Sequence, residues 1–113
     1  MKIGVLGSGD VGRRLGDGFI ELGCTVKIGS RNPNQAKLIE WIDKHEDGKA
    51  SSGTFTETAS FGELDLLATL WDGTPDAIRI AEPRNFAGKI VIDVTNPLDF
   101  SKGMPPSLAL GYT

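Results

Sequence analysis

One cysteine and one histidine in 113 residues exclude much of the chemistry that small proteins build from those side chains. Cys24 has no partner for an internal disulfide, and a thiol opening an apolar strand reads as a core residue rather than a redox centre. His45 stands beside Lys44, Glu46 and Asp47. With no second histidine and no cysteine partner it cannot be half of a usual zinc site, and a surface position at a helix end, favoured by the dipole, is expected. The sequence holds no run of about eighteen apolar residues, so no spanning helix is predicted, and its first residues form a strand pattern rather than a signal peptide. Neither sign of charge dominates. Lys and Arg number 12 against 15 Asp and Glu, a net charge of −3, which gives no reason to expect a nucleic-acid or membrane partner. Repeats and low-complexity tracts are absent too, and a reducing, cytoplasmic setting fits.

Glycine is what the chain has in excess, 15 residues, about twice the usual share. Four of them lie in Lys2-Ile3-Gly4-Val5-Leu6-Gly7-Ser8-Gly9-Asp10-Val11-Gly12. An apolar strand runs into Gly7-x-Gly9-x-x-Gly12 and then into a helix pattern with Val11, Leu15, Phe19 and Leu22 on one face. Gly7 can take the turn's backbone angles, Gly9 leaves the main chain open to a phosphate, and Gly12 lets helix and strand approach. Free N–H groups and the positive end of the helix dipole would face a pyrophosphate. Asp10 is expected to turn aside and cap the helix. The competing reading is a structural glycine turn in another α/β domain.

Gly23 stops that helix, and residues 24–28 read as a second strand ending in Gly29-Ser30-Arg31-Asn32. An acid about twenty residues past the glycines would bond ribose hydroxyls, whereas arginine accommodates a 2′-phosphate. No acid lies between Cys24 and Asn34. Ser30 can give a hydroxyl bond and Arg31 a guanidinium to a dianion, so NADP is expected over NAD, with a solvated loop arginine as the alternative. Asn32-Pro33 marks the next helix start, with Leu38, Ile39, Trp41 and Ile42 as its buried stripe. Lys37 is placed near that start, facing solvent or assisting the phosphate.

Residues 47–53 read as a polar loop, a short strand is expected around 53–56, and at most a turn or two of helix over 58–63. Leu64 to Leu70 is the nearly continuous apolar run of a central parallel strand. Thr74-Pro75 opens a helix carrying Ala77, Ile78 and Ala81, and residues 89–94 form a fifth strand ending at Thr95-Asn96-Pro97. Residues 98–113 are an irregular tail. Alternation of strand and helix implies one α/β domain over residues 1–113, a doubly wound parallel sheet whose strand ends converge on one rim.

The segments Gly7 to Gly12, Gly29-Ser30-Arg31-Asn32-Pro33, Ala68-Thr69-Leu70-Trp71 and Val91-Ile92-Asp93-Val94-Thr95-Asn96-Pro97-Leu98 together resemble the NADP-binding, Rossmann-type domain of the NADP oxidoreductases dependent on the deazaflavin coenzyme F420, a family related to pyrroline-5-carboxylate reductase. That resemblance implies reversible hydride transfer between NADP(H) and a second, usually deazaflavin, partner. By the same resemblance, Gly7, Ser8, Gly9, Asp10, Val11 and Gly12 bind the pyrophosphate, and Ser30, Arg31 and Asn32 take the 2′-phosphate. Thr69, Leu70, Trp71, Asn96 and Pro97 line the ribose and nicotinamide. Family members continue past the fifth strand, so the expectation is a fragment lacking its C-terminal completion, or an NADP-binding module completed by another subunit, with the exposed fifth strand favouring a homo-oligomer. Hydride transfer is carried by the cofactors, so the want of an acid–base pair counts against a hydrolase and not against an oxidoreductase; no catalytic side chain and no metal site are assigned. An imine reductase of the pyrroline-carboxylate type would need a dimerising helical domain and is the least favoured alternative.

Overall fold

A computed structural model of the chain describes residues 1–46, 48–69 and 74–94. Lys2–Leu6 forms β1, Asp10–Glu21 α1, Thr25–Gly29 β2, Ala36–Asp43 α2, Ala50–Gly53 β3, Phe55–Phe61 α3, Leu64–Leu67 β4, Thr74–Ala81 α4 and Ile90–Asp93 β5, with a 3-10 turn at Pro83–Phe86. The five strands are all parallel in the order β3-β2-β1-β4-β5. This is the doubly wound, Rossmann-type sheet expected of the strand–helix alternation.

Alternation along the strands divides the core between two faces. Ile3 and Val5 of β1 join Val26, Ile28, Leu64 and Leu66 beneath Leu38 and Trp41 of α2, with Leu15 and Phe19 of α1 packed alongside. Leu6 and Leu67 point the other way, to Phe55 and Ala59 of α3 and Ala77 and Ala81 of α4. Burial on both sides is why β1 and β4 read as continuous apolar runs.

Several local expectations are corrected. On α1, Val11 and Leu22 are 56% and 78% exposed, and it is Ile20 that joins Leu15 and Phe19 against the sheet. Cys24 is half-buried at the core's margin. The second helix starts at Ala36, not at Asn32-Pro33, because Asn32 to Gln35 closes a turn through a Gln35 N–H bond to the Asn32 carbonyl at 3.2 Å. Ile39, expected in its buried stripe, is exposed. Strand β3 ends where the sequence suggested a strand would begin. From Thr54 the chain is already helical: its hydroxyl accepts from the Glu57 N–H while the Glu57 carboxylate accepts from the Thr54 N–H, a capping box that starts α3. Strand β4 stops at Leu67, three residues short of the apolar run.

His45 is not an unattached surface residue. Its Nε2 lies 2.8 Å from Asp17 Oδ1, which also accepts from Trp41 Nε1 at 2.8 Å. Lys44 Nζ reaches the other carboxylate oxygen at 3.4 Å. Burial works against the Asp17 charge, but the bonds from His45 and Trp41 and the Lys44 ammonium outweigh it and hold the carboxyl below its ordinary value. One carboxylate of α1 thereby fastens the C-terminal part of α2.

Candidate functional site

The strand register aligns Gly53, Gly29, Leu6, Leu67 and Asp93 across the sheet. The residues that follow each strand therefore emerge along one rim, where a doubly wound sheet places its ligand. Of the fourteen residues singled out in the sequence, ten lie within the described residues and sit on this rim: Gly7 to Gly12 after β1, Ser30 to Asn32 after β2, and Thr69 beyond β4. Leu70, Trp71, Asn96 and Pro97 lie outside the described residues, as does the 98–113 tail.

The turn after β1 is built as the glycines demand. Gly7 has φ +127°, and a Cβ there would run into the Ala68 carbonyl and sit 2.8 Å from the Thr69 nitrogen. Thr69 therefore borders the turn directly. The Gly7 N–H bonds the Gly29 carbonyl at 2.9 Å, tying the turn to β2. A Cβ on Gly12 would collide with the Gly7 carbonyl, so the first turn of α1 presses onto the loop that precedes it. Gly9, the N-cap, has nothing within 4 Å of its missing side chain, and no side chain caps the helix. The N–H groups of the first turn have no intrahelical acceptor. An open backbone with uncapped donors at the positive end of a helix is what a pyrophosphate requires.

Asp10 departs from its expected role. It is the first residue of α1, and it pairs with Arg13 one turn on instead of capping. The neighbouring guanidinium offsets a carboxylate that would otherwise oppose a phosphate. Beside it a cleft of about 340 Å³ opens between α1 and α2, with Arg13, Arg14, Lys37 and Lys44 among its lining residues. Lys37 thus lines this cleft from the first turn of α2.

After β2, the Ser30 N–H bonds the Gly53 carbonyl at 3.1 Å, which holds the loop on the edge of β3. Ser30 is buried and its hydroxyl accepts from the Asn32 N–H at 3.1 Å. Arg31 and Asn32 are exposed. The residue that organises the rim was missed in the sequence. Gln35 sends its Nε2 to Ser30 Oγ at 2.8 Å, to Ser8 Oγ at 3.2 Å and to the Asn32 carbonyl at 3.0 Å, so one amide joins the β1 and β2 loops. No local signal marks it, because the sequence pattern places Gln35 inside a helix begun at Asn32-Pro33, whereas it precedes the first turn of α2. Ser8 and Ser30 hydroxyls lie 3.4 Å apart. No group of three or more His, Cys, Asp or Glu suited to a metal ion occurs among the described residues, and none of their helices is long and apolar enough to cross a membrane.

Comparisons with known proteins agree with this architecture. The family described as "NADP oxidoreductase coenzyme F420-dependent" matches residues 2–97. Metalloreductase STEAP3 of Rattus norvegicus is 34% identical over 100 residues, 87% of this chain and 18% of that protein. A crystal structure described as a candidate F420-dependent NADP reductase from Arthrobacter sp. FB24 is similar with a TM-score of 0.78 and 39% identity, over 93% of this chain and 49% of its own. An imine reductase of Streptomyces aurantiacus, 18% identical with a TM-score of 0.65 over 85% of this chain and 32% of its own, shares the fold. This chain therefore spans about half of the reductase and under a fifth of the metalloreductase. On the extent of the family match and the identity with the reductase, the chain belongs to the coenzyme F420-dependent NADP oxidoreductases.

Proposed function

We propose that this rim binds NADP(H) and that the chain is the NADP-holding part of an oxidoreductase passing hydride between NADP(H) and a deazaflavin or flavin-like partner, coenzyme F420 being the co-substrate that fits the family. The observation that carries the reading is the gathering of hydrogen-bond donors at the ends of β1 and β2, in a loop that has no acid between Cys24 and Asn34. Bound NADP(H) would supply the hydride chemistry. The protein's part is to hold and orient it. Gly7, Ser8, Gly9, Asp10, Val11 and Gly12 give the pyrophosphate an open backbone, Ser30, Arg31 and Asn32 take the 2′-phosphate, and Thr69, Leu70, Trp71, Asn96 and Pro97 border the ribose and nicotinamide. A 2′-phosphate is a dianion near neutrality, and charge-assisted donors favour it strongly.

Calorimetric titration with NADP and NAD tests the assignment. Arg31→Ala should weaken NADP by about tenfold or more while leaving NAD nearly unchanged; equal losses for the two would remove the phosphate assignment. Oxidation of NADPH by deazaflavin or flavin then tests the transfer. Because the chain spans 49% of the Arthrobacter protein, a second reading is an NADP-binding module serving a partner subunit, whose signature in these assays is binding without turnover. Self-association is proposed as well, supported by Ile90 and Ile92, which are 63% and 40% exposed on the same face of β5, one of the two edge strands among the described residues. Sedimentation should show concentration-dependent assembly that Ile92→Lys abolishes, and a wild-type chain that stays monomeric throughout would refute it.

A further inference from the structure

The orientation of the Gln35 amide is fixed by what it touches. The Asn32 carbonyl can only accept, so the Gln35 atom 3.0 Å from it is the nitrogen and not the oxygen. The same nitrogen therefore donates to Ser30 Oγ at 2.8 Å, with Ser8 Oγ sharing it at 3.2 Å. Ser30 Oγ also accepts the Asn32 N–H at 3.1 Å. A hydroxyl has two lone pairs and one proton. Both Ser30 lone pairs are taken, and what it has left to offer a ligand is its proton. The nearest alternative acceptor, Ser8 Oγ, is 3.4 Å away, at the limit of a useful bond.

We propose that Gln35 is a positioning residue that sets the hydrogen-bond polarity of Ser30, and so selects a ribose carrying a 2′-phosphate over one carrying a 2′-hydroxyl. This rests on the rim being an NADP site. A phosphate dianion only accepts, and a ledge of committed donors suits it. A ribose 2′-hydroxyl must also donate, and it meets a serine with no lone pair to spare in a loop without a carboxylate. Burying an unpaired donor is costly, whereas the phosphate leaves nothing unpaired. Selectivity thus comes from the direction of the hydrogen bonds around Ser30 in addition to the charge on Arg31, and Gln35 need not touch the nucleotide to impose it.

Two substitutions separate polarity from charge, with 2′,5′-ADP and 5′-AMP as calorimetric probes on the full chain. Gln35→Met keeps the length and the neutrality but donates nothing. Ser30 regains a free lone pair, and the ratio of 2′,5′-ADP to 5′-AMP affinity should fall several-fold to about tenfold, chiefly through loss of the phosphorylated ligand. Gln35→Glu presents acceptors where the amide presented a donor. The serines must then turn their protons inward, and the ratio should fall further at pH 8, with 5′-AMP binding retained. A wild-type ratio in Gln35→Met overturns the proposal, because loss of loop bracing alone weakens 2′,5′-ADP and 5′-AMP together and leaves their ratio where it was. Failure of the NADP reading looks different: wild type itself then shows no preference for 2′,5′-ADP.

Discussion

Asp65 is the residue whose surroundings contradict its charge most sharply. It lies on β4 between Gly4 of β1 and Val91 of β5, fully buried, and neither carboxylate oxygen has a hydrogen-bond partner among the described residues. Gly4 and Gly62 leave the space its Oδ1 fills. Among the described residues the Lys89 ammonium reaches it at 3.9 Å, already engaged by the Ala59 and Ser60 carbonyls at the end of α3. Burial pushes the carboxyl up to about 7, although Lys89 pulls the other way. An acid that titrates higher folded than unfolded holds its proton more tightly in the native state. Its contribution to stability is therefore greatest below the ordinary carboxylate value and falls as pH rises toward 7, by an amount on the order of a few kcal/mol. Asp65→Asn should flatten this fall between pH 5 and 8 in thermal unfolding. Parallel slopes for variant and wild type would show that the carboxyl titrates normally. None of this was legible in the sequence, where Asp65 sits inside an apolar run and gives no sign of whether it faces water. The place of Ser30 and Arg31 on the rim after β2 was legible, because the strand pattern ends at Gly29. Gln35 was not, since its role depends on three acceptors brought together from two loops.

At the scale of elements, the readable signals were those written in a few adjacent residues, and the misreadings came where tertiary contacts chose between local options. Thr54-Phe55-Thr56-Glu57 has the aromatic and β-branched residues of a strand, but it also spells a capping box, and the two reciprocal bonds at 2.8 and 3.1 Å decide for helix. Phe55 and Ala59 then fall on the face that α3 buries against β1 and β4. Thr54→Ala removes one bond of the box and should lower stability by about 1 kcal/mol, measured by denaturant unfolding. A change within error would mean that packing alone holds the helix start. The Asp17 clasp is the opposite case: Trp41 and His45 are separated from Asp17 by 24 and 28 positions, so nothing local could have shown that the lone histidine is bound to α1. Asn32-Pro33 has the grammar of a helix start, yet the chain spends those residues on the turn that brings Gln35 to the rim.

The whole molecule follows from a rule that needs little detail: alternating strands and helices with right-handed crossovers leave few arrangements, and the order β3-β2-β1-β4-β5 is the one in which the first glycine turn sits at the switch point beside β4. That same arrangement makes ligand binding a global event. A nucleotide on the rim would touch loops from β1, β2 and β4, which only the folded sheet brings together, so it binds the folded chain and has no comparable site on the unfolded one. At a hundred times its dissociation constant such a ligand adds about 2.7 kcal/mol, enough to raise the melting temperature of a chain this size by several degrees. NADP should therefore raise it more than NAD at equal concentration, and Arg31→Ala should shrink that difference while leaving the unliganded melting temperature where it was, since interactions of an exposed loop cation contribute little to stability. If Arg31→Ala lowers the unliganded value by as much as it lowers the NADP shift, the arginine is bracing the loop, and the preference for the phosphorylated nucleotide must come from Ser30 and Gln35 instead.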